Sequence, residues 1–188
     1  MVISYQGEGG FRFQNGNVSL LVDPPSNRLK ADVVLRTTGS VDEMVTTPGE
    51  IGLPGEYEVN GIEVSGLTIK GASKKDVLAI AYSVYWEGIH FGILGEIKEA
   101  PEAEVLDLIN GSDVLIVPIG KKELSAEQAA KLIKQIEPSI AIPRQTDNAQ
   151  ELLKILEQKA EMQDKFVFKK KDIEGERGRV VILKSGND

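Results

Sequence analysis

Asp113-Val114-Leu115-Ile116-Val117-Pro118-Ile119-Gly120 leads to Ser125-Ala126-Glu127-Gln128, and then to Glu137-Pro138-Ser139-Ile140-Ala141-Ile142-Pro143-Arg144-Gln145. Val114 to Val117 are apolar without alternation, the mark of a strand covered on both faces, as in parallel sheets. Ser125 and Gln128 have the spacing of a capping box: the hydroxyl accepts from the N3 amide and the Gln reaches back. Leu132, Ile133 and Ile136 then form the buried stripe of one helix face. Glu137-Pro138 stops that helix, and Ser139 to Ile142 is a second strand. The stretch is therefore a strand–helix–strand unit.

Working outward, Pro101 suits a helix start, Val105, Leu106, Leu108 and Ile109 share a helical face, and Gly111 ends it. Asp147-Asn148-Ala149-Gln150 opens a last helix with Leu152, Leu153, Ile155 and Leu156 inside. Phe166 to Phe168 and Arg179 to Leu183 read as closing strands. Toward the N-terminus the pattern is strands alone: Val18 to Val22, Ala31 to Leu35, Tyr57 to Val59, Ile62 to Val64, Asp76 to Tyr85 and Ile89 to Leu94. Asn15-Gly16 and Asn60-Gly61 are read as hairpin turns, because both residue types tolerate positive φ. Many strands followed by strand–helix units imply layered sheets with helices outside.

Composition narrows the function. Of 188 residues none is cysteine, which removes disulfides, thiolate nucleophiles and cysteine-held zinc or iron. The formal net charge of −7 disfavours nucleic acid. The lysines at 165, 169, 170 and 171 are interleaved with Asp164, Asp172, Glu174 and Glu176, a solvated strand end rather than a basic patch. Met1 to Gly7 lack the charged-then-apolar pattern of a signal peptide, and no apolar run reaches a membrane span, so the expectation is a cytoplasmic protein that binds neither nucleic acid nor membrane. No phosphate-binding glycine loop is present.

Four segments in order carry a resemblance. They are Leu20-Leu21-Val22-Asp23-Pro24, Lys30 to Glu43, Phe91-Gly92-Ile93-Leu94-Gly95-Glu96, and the stretch from Asp113 to Gln145. Together, with Pro54-Gly55-Glu56-Tyr57, they resemble the metallo-β-lactamase-like family and its small bacterial members. The resemblance spans nearly the whole chain. It implies one domain over 1–188, of α+β class: a four-layer αββα sandwich of two mixed sheets with outer helices.

The same resemblance implies a metal centre at the strand ends, and the residues at its positions differ from the family's. Where the family has Thr-His-x-His-x-Asp-His, the matching positions hold Thr38, Ser40, Asp42 and Glu43. Glu96 stands for the metal-bridging Asp, and Gln145 for the last His. No His lies near Lys70 to Ser73. The only histidine, His90, sits inside a strand and reads as structural. Zinc wants imidazole nitrogen, and these groups offer oxygen alone.

Two readings follow. In the first, the chain is a non-catalytic relic of a metal-dependent hydrolase, a pseudoenzyme with no cofactor. Its vestigial polar site would be Thr38, Ser40, Asp42, Glu43, Glu96 and Gln145, and it would bind a small molecule or a protein. In the alternative, it is a metal-dependent hydrolase with an oxygen-ligand site for Mg, Mn or Ca at Asp42, Glu43 and Glu96. Carboxylates left without a metal need an answering charge. The first reading therefore expects Arg36 or Arg144 within salt-bridge reach of Asp42, Glu43 or Glu96.

Overall fold

The computed structural model describes residues 1–40, 49–145 and 148–184. The strands are β1 (Val2–Gly7), β2 (Gly10–Asn15), β3 (Val18–Val22), β4 (Val33–Leu35), β5 (Thr38–Ser40), β6 (Glu50–Ile51), β7 (Gly55–Val59), β8 (Ile62–Thr68), β9 (Val77–Trp86), β10 (Ile89–Leu94), β11 (Val114–Val117), β12 (Ile140–Pro143), β13 (Met162–Gln163), β14 (Lys165–Val167), β15 (Arg179–Val180) and β16 (Ile182–Leu183). The helices are α1 (Ala103–Ile109), α2 (Ala126–Ile136), α3 (Ala149–Ile155) and α4 (Lys170–Ile173).

Two mixed sheets face each other. One has six strands in the order β14-β1-β2-β3-β4-β6. The other has the order β15-β12-β11-β10-β9-β8-β7, with β5 added beside β9. β10, β11, β12 and β15 run parallel, as the unbroken apolar runs of β11 and β12 predict. The remaining neighbours in that sheet are antiparallel.

Period-two alternation sets the layers. Ile3, Phe11, Phe13, Leu20, Val22, Val33 and Leu35 point inward to meet Tyr82, Val84, Phe91, Ile93, Ile116 and Ile142. On the opposite face of the larger sheet, Ala81, Leu94, Leu115, Val117 and Ala141 receive α1, α2 and α3. α2 alone buries Leu132, Ile133 and Ile136 there, each worth roughly 1.5–3 kcal/mol. Its capping box forms as read: Gln128 N donates to Ser125 Oγ, and Ser125 N to Gln128 Oε1. Across the outer face of the smaller sheet lies the loop of residues 24–32. Arg12 Nη2 donates to the Lys30 carbonyl, and Ser19 N and Oγ donate to Asp32.

Two local readings change. The first hairpin turns at Gly16-Asn17 rather than Asn15-Gly16, because Asn15 still pairs with Val18. Gly16 takes the positive φ of 57°, as the first central residue of a type II′ turn does. Asn60-Gly61 turns as expected, with φ of 53° and 75°. The lysine run is a strand end only in part, at Lys165, which opens β14. Lys170 and Lys171 start α4, whose Ile173 enters the inter-sheet core, and Lys170 Nζ pairs with Asp113. No helix among the described residues is long and apolar enough to cross a membrane.

Candidate functional site

Parallel strands end together, and ligand sites in such sheets gather beyond their carboxyl ends. Here β10 is followed by Gly95-Glu96, β11 by the tight loop 118–124, and β12 by Arg144-Gln145. From the smaller sheet, β3 ends at Asp23. β4 runs through Arg36 and Thr37 into β5, which pairs with β9 of the larger sheet, so the chain crosses between sheets at this point. Backbone bonds from Arg36 N to Ile51 O and from Ile80 N to Thr37 O hold the crossing. A cleft of about 300 Å³ opens there, lined by Glu8, Asp23, Thr37, Thr38, Glu96 and Arg144, among others.

Arg144 stands at the centre. It is 4% exposed, and its guanidinium ties four elements together. Nη2 meets Asp23 Oδ2 at 3.0 Å, and Nη1 donates to Thr37 Oγ1 and to the Leu94 carbonyl, both at 3.3 Å. Asp23 is itself saturated by Thr37, whose N and Oγ1 donate to it at 2.8 and 2.5 Å. Its φ of 42° lies in the left-handed region, which Asp enters more readily than most residues. The backbone closes tightly on this knot. A Cβ at Gly9 would stand 2.8 Å from Arg144 Nη2, and one at Gly95 would stand 2.9 Å from Thr37 Oγ1.

Beside the knot lies Glu123, only 8% exposed, on the loop after β11. Among the described residues neither of its carboxylate oxygens has a hydrogen-bond partner, and Arg144 Nε is equally unpartnered. The nearby Ile119 N–H falls short of hydrogen-bond geometry. Burial pushes the Glu123 carboxyl above the ordinary glutamate range; the Arg144 charge works against this and the Glu96 charge with it.

The positions singled out from sequence are distributed as follows. Thr38 and Glu96 both line the cleft, and both are exposed. Gln145 lies beside the loop after β11, its Oε1 close to Gly120. Ser40 is at the end of β5 opposite Val77. Asp42 and Glu43 lie outside the described residues. The expected arginine pairing is not found at Glu96, and with Asp42 or Glu43 it lies outside the described residues. Arg144 pairs with Asp23, and Arg36 Nε pairs with Glu50 at 2.7 Å; among the described residues neither meets Glu96 in a salt bridge. Glu96 is solvated at the cleft mouth, so its charge needs no guanidinium, whereas Asp23 is mostly enclosed and does. Sequence reading passed over Thr37, Asp23 as a partner, and Glu123. The available signal is Asp23-Pro24 at the end of the strand Val18 to Val22. Glu123 follows Lys121-Lys122 and reads as surface.

A second buried polar group lies within the same sheet. His90 Nε2 and Ser83 Oγ are 2.8 Å apart, and Tyr85 stacks on the imidazole with centroids 4.1 Å apart. Asp113 accepts from His90 N and from Lys170 Nζ. Burial lowers the His90 pKa, opposed by a backbone hydrogen bond to Gly111 and by the Asp113 charge. A neutral, stacked and hydrogen-bonded imidazole is a structural one.

The donor set can be weighed against the metal of the resembled family. Around the cleft the described residues offer hydroxyl, amide and carboxylate oxygen and a buried guanidinium, and nowhere among them do three His, Cys, Asp or Glu gather as a metal would need. With no imidazole or thiolate and with a guanidinium that repels a dication, that set does not fit zinc, whose sites are built mainly on nitrogen and sulfur.

No curated protein sequence matches the chain. Solved structures do. A protein of Thermotoga maritima assigned to the Zn-dependent hydrolases of the metallo-β-lactamase superfamily superposes with a TM-score of 0.76 at 20% identity, over 97% of each chain. Igni18, a metallo hydrolase of Ignicoccus hospitalis, gives 0.66 at 16% identity, over 89% of this chain and 99% of its own. The metallo-beta-lactamase fold protein YhfI of Bacillus subtilis gives 0.65 at 14% identity, over 99% and 97%. At these identities the likeness is one of fold. The family model of the beta-lactamase superfamily domain matches residues 2–145, most of the chain and every segment that builds the cleft, and the chain belongs to that family.

Proposed function

We propose that this chain is a non-catalytic member of its family, a cytoplasmic binding or scaffold protein built on a hydrolase fold. The observation that carries the reading is the Arg144 guanidinium, buried at the strand ends and bonded to Asp23, Thr37 and the Leu94 carbonyl. A fixed cation thereby joins the two sheets at the edge where the family gathers its metal ligands. A guanidinium cannot polarise water into a nucleophile as a bound metal does. It supplies charge and hydrogen bonds, which stabilise the fold and shape a pocket. The cleft beside it remains open to a small ligand.

The alternative is an oxygen-ligated hydrolase using Mg, Mn or Ca. One observation favours it: Glu96 is an exposed carboxylate at the cleft with no ion-pair partner among the described residues. Elemental analysis of protein purified without chelator, with zinc, magnesium, manganese and calcium titrations, separates the two. The non-catalytic reading expects substoichiometric metal and no tight site. A stoichiometric metal, together with phosphodiester, lactam or ester hydrolysis that chelator abolishes, overturns it.

A further inference from the structure

A second cavity, of about 340 Å³, lies against the loop of residues 24–32 on the outer face of the smaller sheet. That volume falls in the range of sites for small organic ligands. Val34 is its sheet wall: Val33 and Leu35 point into the core, so alternation turns Val34 outward. Pro24, Leu29 and Ala31 of the loop add apolar surface. Leu29, Ala31 and Val34 are only half-buried, so the apolar wall stands open. The loop itself is fixed. Arg12 Nη2 donates to the Lys30 carbonyl at 2.7 Å, Leu29 N donates to the Ser26 carbonyl, and Asp32 accepts from Ser19 N and Oγ. A cavity whose walls are held in this way costs little ordering when a ligand enters.

Charge separates this cavity from the strand-end cleft, with which it shares Pro24 and Arg36. The cleft has Glu8, Asp23 and Glu96 against Arg36 and Arg144. The cavity has Lys30 and Arg36 against Glu50 alone, a positive surplus in a chain of net charge −7. Arg36 Nε is answered by Glu50 at 2.7 Å, whereas Lys30 has no ion-pair partner among the described residues. Asp32, the one acid on the loop, is held by Ser19 and is not part of the lining. Arg36 also keeps donors in reserve. Nη1 gives one hydrogen bond to the Pro24 carbonyl and Nη2 one to Asn27 Oδ1, and each terminal nitrogen of a guanidinium carries a second N–H.

We propose that this cavity is a binding site for a small organic monocarboxylate with an aliphatic body. The carboxylate takes the Lys30 ammonium and the spare N–H groups of Arg36, charge-assisted bonds of the kind that anions of this shape favour. The aliphatic part covers Leu29, Ala31 and Val34, whose surface is otherwise left to water. The lining decides between a carboxylate and other anions. Glu50 stands beside Arg36 and opposes any ligand of higher negative charge, and an inorganic anion would leave the apolar wall uncovered. The site goes beyond the reading of the strand-end cleft, and its occupation is independent of what that cleft holds.

The test follows amide chemical shifts of the full chain at neutral pH during titration with sodium hexanoate. Hexylammonium chloride, sodium phosphate and sodium chloride at matched ionic strength are the comparisons. Hexanoate is expected to give saturable shifts centred on residues 27–36 and Glu50, and the three comparisons none that saturate there. Lys30→Met keeps the apolar stem and removes the charge at an exposed position, so the fold is retained. It should weaken hexanoate binding about tenfold or more, the scale of one charge-assisted hydrogen bond. Val34→Thr, which places a hydroxyl on the apolar wall at nearly constant shape, should weaken it less. Hexanoate shifts no different from those in sodium chloride would overturn the proposal, as would binding unchanged in Lys30→Met. Saturation by hexylammonium at the same residues would reduce the cavity to an apolar crevice, and tighter saturation by phosphate would make it an inorganic-anion site; either result overturns the carboxylate assignment.

Discussion

The larger sheet holds two buried polar clusters that solve the same problem differently. Around His90 the polar atoms close on one another: Ser83 on Nε2, Asp113 on the backbone N, Lys170 on Asp113, and Tyr85 over the ring. Around Arg144 closure is incomplete. Asp23 and Thr37 are saturated, but Arg144 Nε and both Glu123 oxygens are left over among the described residues. The first cluster is a plug inside a β-hairpin. The second lies beyond the carboxyl ends of three parallel strands, where chain segments from both sheets meet. The contrast is between a cluster closed on itself and one left with unpaired groups at the strand ends, beside the cleft.

The sharpest way to break this comparison is to remove Arg144. Asp23 would then keep its charge in a mostly enclosed site, and breaking a buried pair on one side costs about 3–5 kcal/mol. Arg144→Ala should lose stability on that scale in urea unfolding. Arg144→Lys should recover part, since one ammonium replaces the charge but not the fork that reaches Thr37 and Leu94 together. Adding Asp23→Asn to Arg144→Ala should restore stability relative to the single variant, because the two act as a unit. Equal losses for Arg144→Ala and an exposed arginine such as Arg177→Ala would show that the knot does not hold the sheets.

The His90 cluster should respond on a smaller scale and with a different pH signature. Ser83→Ala leaves His90 Nε2 unpaired, at a cost of about 1–3 kcal/mol. Burial holds the His90 pKa below its ordinary value, so the folded state binds fewer protons than the unfolded chain. Stability from this group is therefore present above the ordinary histidine range and is lost as pH falls through it toward the folded value. His90→Gln should flatten that part of the pH–stability curve. A wild-type curve with no descent from neutral pH into the mildly acidic range would contradict the assignment.

How far the sequence revealed all this depends on the kind of signal. The parallel core was legible because Val114 to Val117 and Ile140 to Ile142 are apolar without alternation, which only two-sided burial explains. The α2 capping box was legible because it is local. The β4–β5 crossing was not, since Arg36-Thr37 is too short to show that a strand changes sheets. Of the site, Thr38, Glu96 and Gln145 were found through the family's ligand positions, and Arg144 through a charge argument. Its pairing with Asp23 carried no local signal, because the two residues stand 121 positions apart in the chain. Glu123 carried no signal at all: its burial comes from Ile119 and Leu124 on either side, both at 0% exposure, which pull the loop inward.

The smallest expected effect is the most telling about Glu123. Burial raises its carboxyl above the ordinary glutamate value, so the folded state holds its proton more tightly than the unfolded chain does. Between those two values the folded protein binds more protons, and stability falls as pH rises through that window. Above it the ionised, unpartnered carboxylate is a standing cost. Glu123→Gln removes that cost while keeping shape, and a gain of about 1 kcal/mol at neutral pH is expected. The gain should shrink as pH falls below the ordinary glutamate range, where folded and unfolded carboxyls are both protonated. The opposite sign, a Glu123→Gln variant less stable than wild type at neutral pH in ligand-free buffer, would mean that the carboxylate already has a strong partner. Glu123 would then belong with the closed cluster around His90, and the asymmetry between the two ends of the sheet would disappear.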